Sequence, residues 1–203
     1  NNENKARELE EETGACSFQA DLTDESQVCN VISAVRERLD SIAVLVNNVG
    51  RTQVMPFALM EASDWDEIIT ANLKTMFLVT REVVRDMIQA KNGAIINIGS
   101  LAGHRKLEVP VHYATAKAGV SGFTLSLATE LARYNIRVNA IVPGLLTEGV
   151  GRLVPEPALA EYVRYCSAGR PGDPEEVAEV AVFLASKKSS YINAQNIFVD
   201  GGI

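Results

Sequence analysis

Two residues that could carry acid–base chemistry, Tyr113 and Lys117, lie four positions apart in the run Y-A-T-A-K. Residues at i and i+4 of a helix share one face, so the ammonium would lie close to the phenol. A free phenol has a pKa of about 10, and a neighbouring cation lowers that pKa towards the range where general acid–base catalysis is efficient. The pair therefore suggests a proton-transfer site, although the same spacing also occurs on solvated helix faces.

Ser100 and Asn72 are two further candidates. Ser100 follows a strand-like apolar run, residues 94–98, where its hydroxyl could donate a hydrogen bond to a carbonyl oxygen that gains negative charge. The alternative is a turn serine that caps backbone groups. Asn72 falls inside a predicted helix, where asparagine has poor propensity, and a buried amide needs hydrogen-bond partners or a function.

The elements that must position these residues alternate between helix and strand along the chain. Hydrophobic periodicity and capping residues predict helices at 6–12, 23–39, 64–90, 112–134, 157–167 and 174–187. Apolar runs predict strands at 15–20, 42–46, 94–98, 136–142 and 196–199, and the run 42–46 suits a strand buried on both faces. This alternation predicts one α/β domain of the Rossmann type, a doubly wound parallel sheet with helices on both faces. Ligands of such sheets bind at the carboxyl ends of the strands.

Composition narrows the function classes. The chain of 203 residues has 19 Lys and Arg against 26 Asp and Glu, a formal net charge of −7. The acidic balance disfavours nucleic acid and anionic membranes as partners, and no apolar run approaches the length that spans a bilayer. Three scattered cysteines without a C-x-x-C pair predict neither a disulfide framework nor a metal site. We expect a cytoplasmic protein with reduced thiols.

These motifs together resemble the short-chain dehydrogenase/reductase family, in particular its subgroup that includes the 3-oxoacyl-carrier-protein reductases, over residues 4–202. The matching segments are the Asn72, Ser100, Tyr113 and Lys117 tetrad in order and spacing, Asp21-Leu22, Asn47-Asn48-Val49-Gly50 (with Val49 in place of the usual Ala), Asn139-Ala140-Ile141-Val142-Pro143-Gly144, Arg170–Glu176 and Val199-Asp200-Gly201-Gly202.

The resemblance implies hydride transfer between a nicotinamide cofactor, NADP or NAD with NADP slightly favoured, and a carbonyl or secondary alcohol, for example a 3-oxoacyl thioester. Tyr113 would transfer the proton and Ser100 would hold the carbonyl oxygen. Lys117 would lower the Tyr113 pKa and bind the nicotinamide ribose, while Asn72 would position a water. The cofactor contacts implied are Asp21, Leu22, Asn48, Val49, Gly50, Tyr113, Lys117, Pro143, Gly144 and Thr147.

The sequence departs from the family at its beginning. The family's first strand, glycine-rich phosphate-binding turn, helix and second strand are not present in residues 1–203, and the chain opens on Asn1 rather than Met. We therefore expect an N-terminally incomplete domain whose natural form has this segment. The alternatives are a reduced homologue and a non-catalytic pseudoenzyme subunit that assembles with active homologues.

Smaller departures bear on specificity. Glu148 stands where the family usually has a Thr over the cofactor, so Thr147 is carried over in its place, and Ala194 replaces a common Gly. Lys91 could match one basic residue of the carrier-protein reductases, but Tyr134 replaces another. The apolar segment between Gly144 and Arg170 predicts either a lid over a hydrophobic substrate or an ordinary amphipathic helix. The family's usual assembly predicts a homotetramer packed through residues 64–90 and 112–134.

Overall fold

Four parallel strands form the sheet in a computed structural model, which describes residues 3–203 and, for Glu3, only the backbone. The strands are β1 (Val44–Asn47), β2 (Gly93–Ile98), β3 (Ile136–Pro143) and β4 (Asn196–Val199), and they lie side by side in that order. In the register, Val44 pairs with Ala94, Gly93 with Ile136 and Ala140 with Asn196. Because all four strands run in one direction, their carboxyl ends meet at one edge of the sheet.

Helices cover both faces of this sheet. They are α1 (Glu3–Thr13), α2 (Glu25–Arg38), α3 (Ala62–Ile69), α4 (Thr75–Ala90), α5 (Val111–Leu131), α6 (Glu156–Tyr165) and α7 (Pro174–Ala185). One core cluster joins α2, α4 and α5 to the sheet, with Val28, Ile32, Leu78, Val83, Met87, Ile95, Ala128, Leu131, Ile136 and Val138 buried. A second cluster joins α7 to the opposite face through Ala94, Ile96, Ile141, Val177 and Leu184. The predicted fold class is confirmed.

Local sequence signals account for two of the helix starts. Asp24 precedes α2, and its carboxylate accepts hydrogen bonds from the backbone N–H groups of Ser26 and Gln27. Asp173 and Glu176 form a capping box at the start of α7, with Pro174 as its first residue.

Two strand predictions need correction. Residues 15–20 form no strand, because none of the strands within residues 3–203 pairs with them. Ser17 instead bonds the Glu10 carboxylate through its backbone N–H at 2.6 Å and its hydroxyl at 2.8 Å. The strand at 42–46 is not buried on both faces, since Val44 and Val46 are 42% and 44% exposed. Val44 and Val46 lie on the same face of β1, which is the end strand of the described sheet and pairs with β2.

The helix predicted at 64–90 is also interrupted. It is divided into α3, a π-helical turn over Thr70–Lys74, and α4. The helices predicted at 157–167 and 174–187 are confirmed with earlier ends, α6 at Tyr165 and α7 at Ala185.

Neither a membrane span nor a metal cluster is found within residues 3–203. None of their helices is long and apolar enough to cross a bilayer, and no three of their His, Cys, Asp and Glu side chains are grouped so that they could hold a metal ion.

Candidate active site

The long helix α5 places Tyr113 and Lys117 on one buried face. Tyr113 is 9% exposed and Lys117 is 5% exposed. The Lys117 ammonium lies 5.9 Å from the centre of the Tyr113 ring, and Nζ donates a hydrogen bond to the Ile98 carbonyl at 3.0 Å. This bond ties the helix to the carboxyl end of β2, so the pair is not a solvated helix face.

Burial dominates the protonation of both groups. It lowers the pKa of Lys117 to about 8, because a charged ammonium loses its hydration in the interior. It also raises the pKa of the Tyr113 phenol, an effect that a hydrogen bond with the Ser100 side chain partly opposes. The sequence predicted a Tyr113 pKa lowered by Lys117. That prediction is wrong for the chain by itself, where desolvation has the largest effect on the pKa of Tyr113 and raises it.

Ser100 lies directly beyond β2 and has two partners. Its hydroxyl oxygen accepts a hydrogen bond from the Ala102 backbone N–H at 3.2 Å and so caps the 3-10 turn Leu101–Gly103, and the same side chain bonds Tyr113. The capping role and the contact with the phenol are therefore both present. They are compatible because a hydroxyl can donate one hydrogen bond and accept others.

Gly103 holds this turn against α5. A Cβ atom at Gly103 would lie 2.5 Å from the Ala118 backbone nitrogen and 2.8 Å from the Lys117 carbonyl carbon. Only a residue without a side chain permits this approach. The turn that carries Ser100 is thereby seated on the helix that carries Tyr113 and Lys117.

Asn72 lies in the π-helical turn and is 2% exposed. Its amide nitrogen donates to the Arg51 carbonyl at 2.7 Å and the Ile68 carbonyl at 2.8 Å, and its amide oxygen accepts from the Arg51 N–H at 3.3 Å. The turn widens because the Thr75 N–H bonds the Thr70 carbonyl, five residues back, a geometry frequent at functional sites. The buried amide bonds the Arg51 backbone through both of its polar atoms and so holds the loop after Gly50, and a water-positioning role stays a prediction.

Gly50 brings the two halves of the site together. A Cβ atom there would lie 3.0 Å from the Asn72 amide oxygen and 3.2 Å from the Lys117 ammonium. The structure thus gathers Asn72, Lys117, Tyr113 and Ser100 at the carboxyl edge of the sheet.

Several of the residues predicted to bind cofactor lie beside this group, beyond the end of β1. One pocket is lined by Leu22, Val46, Asn47, Asn48, Val49, Thr75, Met76 and Val79. Asp21 lies next to it, but its carboxylate accepts from the Thr23 N–H at 2.9 Å and the Thr23 hydroxyl at 2.7 Å, and these bonds lower the pKa of Asp21. The structure therefore brings Leu22 together with Asn48 and Val49, and their contact with cofactor stays a prediction.

Pro143 ends β3, and Gly144 and Thr147 follow it on the other side of the site. The Gly144 N–H bonds the Val199 carbonyl at 2.9 Å. The Thr147 hydroxyl donates to Asp173 at 3.1 Å, so it is used at the start of α7. The structure does not bring Thr147 to the tetrad, and its contact with cofactor stays a prediction.

The donors at the centre of the site fit the sugar of a nicotinamide nucleotide. An ammonium has three N–H donors, and Lys117 uses one of them on Ile98. The remaining donors, in a buried position beside the unobstructed backbone of Gly50, suit hydroxyl oxygens. The chemistry of this donor set agrees with the cofactor class that the sequence implies.

Three contributions to the site were not predicted. The His112 ring accepts a hydrogen bond from the Tyr113 N–H, the Arg51 backbone holds Asn72, and the Tyr162 hydroxyl joins the loops after β3 and β4 by bonding the Leu145 N–H and the Asp200 carbonyl. Helical spacing could have indicated that His112 is buried. Nothing in the sequence indicates the other two, because backbone atoms have no side-chain signal and Tyr162 fits an apolar pattern.

Comparisons with known proteins agree with this geometry. A family model described as enoyl-(acyl carrier protein) reductase matches residues 1–203. The 3-oxoacyl-[acyl-carrier-protein] reductase of Thermotoga maritima is 43% identical over 182 residues, covering 90% of this chain and 74% of the relative. The enzyme of the same name from Chlamydia pneumoniae is 38% identical, covering 94% and 77%. A crystal structure from Agrobacterium tumefaciens, provisionally assigned as a gluconate dehydrogenase, superposes with a TM-score of 0.92 at 32% identity, covering 98% and 80%.

Proposed function

Because the chain belongs to the short-chain dehydrogenase/reductase family and is a nicotinamide-dependent oxidoreductase, we propose that it reduces the 3-oxo group of an acyl thioester, with NADPH as the reductant. The observation that carries this proposal is the gathering of Asn72, Ser100, Tyr113 and Lys117 around Gly50 at one edge of the sheet. The names of the two 3-oxoacyl reductases support the choice of substrate class.

The protonation states favour the reductive direction. Burial raises the pKa of Tyr113, so the phenol keeps its proton near neutrality and is ready to donate it to a carbonyl oxygen. The Ser100 hydroxyl, bonded to the same phenol, is placed to hold that oxygen. With a pKa of about 8, Lys117 is mostly charged at pH 7 and favours the phenolate that remains after proton donation. The bound cofactor supplies the hydride.

The cofactor contacts follow from the same edge. We propose that Lys117 and Tyr113 bind the nicotinamide ribose, that Asn48, Val49 and Gly50 line the cofactor's path with Asp21 and Leu22 near the adenine, and that Pro143, Gly144 and Thr147 flank the nicotinamide. The shared pocket of Leu22, Asn48 and Val49 supports this arrangement.

Two segments that leave this edge carry exposed apolar side chains. Val54, Phe57 and Leu59 after Gly50 are 77%, 68% and 68% exposed, and Leu153 and Tyr165 beyond β3 are 61% and 65% exposed. Helix α6 has no buried residue. This supports the interpretation of the segment as a lid over the substrate, because an ordinary amphipathic helix would bury one face in the core. We propose that these side chains cover the acyl chain of the substrate.

The test is the oxidation of NADPH by a 3-oxoacyl thioester. Tyr113→Phe removes the proton donor and should lower kcat by about 100-fold or more, the usual contribution of general acid catalysis. Tyr191→Phe is the matched control, because Tyr191 is fully exposed and should keep the wild-type rate. A Tyr113→Phe variant that turns over at the wild-type rate would refute the mechanism.

Cofactor titration tests both the choice of NADPH and the alternative that the protein is a non-catalytic subunit. We expect NADPH to bind more tightly than NADH, measured by nicotinamide fluorescence with each cofactor in turn. Tighter binding of NADH would overturn the NADP assignment. Binding of neither would favour the non-catalytic subunit.

We also propose that the protein is a homotetramer packed through α4 and α5. Phe77 on α4 and Leu125 on α5 are 44% and 45% exposed, and a second copy would remove this apolar surface from water. Sedimentation velocity should return four times the mass of one chain; a monomer would contradict the proposal.

A further inference from the structure

His112 is a buried histidine beside the proton donor. It is the second residue of α5, directly before Tyr113, and its side chain is 0% exposed. Ring nitrogen Nδ1 accepts a hydrogen bond from the Tyr113 backbone N–H at 2.8 Å. The residue therefore contacts the backbone of Tyr113 rather than its phenol.

This bond fixes the state of the ring. A nitrogen that accepts a hydrogen bond cannot carry a proton, so the proton of the neutral imidazole is on Nε2. Burial lowers the pKa of His112, although the Asp64 carboxylate on α3 opposes the shift, so the neutral form prevails. Nε2 is buried and has no hydrogen-bond partner among the described residues.

The start of α5 needs such an acceptor. The first four N–H groups of a helix have no partner within the helix, and a side chain usually caps one of them. Pro110 precedes α5 and its side chain makes no cap hydrogen bond. His112 Nδ1 supplies the missing acceptor, and it does so at the N–H of Tyr113.

We propose that His112 is a positioning residue that holds the first turn of α5, so that the Tyr113 phenol stays at Ser100 and Lys117, one turn later, stays beneath it. The proposal rests on the proposed function. A displacement of about 1 Å in a reacting group can cost about 100-fold in rate. Loss of the acceptor should therefore lower kcat by about 10- to 100-fold and leave KM for cofactor and substrate unchanged.

Three variants separate the two ring nitrogens. His112→Asn keeps an acceptor at the position of Nδ1 and should keep kcat within about threefold of the wild type. The amide of His112→Gln reaches the position of Nε2 instead, and His112→Phe fills the space without an acceptor. Both of these variants should lose activity. His104→Asn is the matched control. His104 is the other of the two histidines in the chain, and its Nε2 bonds Ser121 on α5 at 2.8 Å, away from the first turn. It should change thermal stability alone.

Hydrogen exchange of the Tyr113 amide gives a readout that needs no activity. The amide should exchange slowly in the wild type and in His112→Asn, and at least about 10-fold faster in His112→Phe. The proposal is overturned if His112→Phe keeps the wild-type kcat, if His112→Asn is as slow as His112→Phe, or if the amide exchanges equally in all three. If the wild type reduces no carbonyl, the proposed function fails, and the exchange rates still decide whether His112 holds Tyr113.

Discussion

Replacing Lys117 with Met should stabilise the protein at neutral pH while it removes activity. Lys117 is 5% exposed, and its burial lowers its pKa from the ordinary 10.5 to about 8. Since one pKa unit corresponds to about 1.4 kcal/mol, the charged ammonium costs the folded state about 3 kcal/mol. Met has a similar length and no charge, so Lys117→Met removes this cost.

The pH dependence isolates the cost of the charge. Below pH 8 the ammonium is charged in both the folded and unfolded states, and the folded wild type bears the full penalty. Between pH 8 and 10.5 the unfolded state binds more protons, so wild-type stability rises with pH. Above pH 10.5 both states are neutral and the penalty vanishes. The Lys117→Met variant also loses the hydrogen bond to the Ile98 carbonyl. This loss costs about 1 kcal/mol of folding stability and does not depend on pH.

Urea unfolding of the cofactor-free protein at pH 7 and pH 10.5 measures this difference. We expect the stability of Lys117→Met relative to the wild type to fall by about 3 kcal/mol between the two pH values. Lys106→Met is the control, because Lys106 is exposed and should show no such change. A relative stability of Lys117→Met that stays constant from pH 7 to pH 10.5 would refute the argument that the ammonium is buried at a cost.

Three further predictions concern packing and ion pairing. Gly103→Ala should lower both the thermal midpoint and kcat, because its methyl group meets the backbone of α5 and such overpacking costs about 1–3 kcal/mol; Gly122→Ala on the same helix, where a Cβ meets nothing within 4 Å, should lower neither. Ala194→Gly should raise the free energy of unfolding by about 1 kcal/mol, because Ala194 has φ +57°, which favours glycine; calorimetry showing a lower midpoint would contradict this. Arg170→Gln should raise the pKa of Glu176 from about 2 towards its ordinary value, seen by NMR titration, and an unchanged value would exclude the Arg170 bond as the cause. Because the Arg170 bond lowers the pKa of Glu176, the bond stabilises the folded protein at pH values above the unfolded-state pKa of Glu176. This stabilisation is lost as the pH falls towards 2.

The sequence by itself determined the fold class and the family, and it singled out the four candidate site residues that the structure brings together. Helical and strand periodicity is a local property of the chain, which is why β2, β3, β4 and α5 were found within a few residues of their observed bounds. The order and spacing of Asn72, Ser100, Tyr113 and Lys117 identified the family before any contact was known.

The tertiary structure decided which strands pair and how buried each strand and site residue is. A strand exists only where a neighbouring strand pairs with it, so the strand at residues 15–20 was predicted wrongly. The exposure of one face of β1 was also missed, because an apolar run does not show which elements pack against it. The π-helical turn is closed by a backbone bond from Thr75 to Thr70, and Asn72 within it bonds the Arg51 backbone; main-chain groups have no sequence signal. The Tyr113 pKa was predicted to fall because the sequence showed the neighbouring cation. It rises because burial, a property of the packed fold, disfavours the charged phenolate more than the Ser100 hydrogen bond favours it.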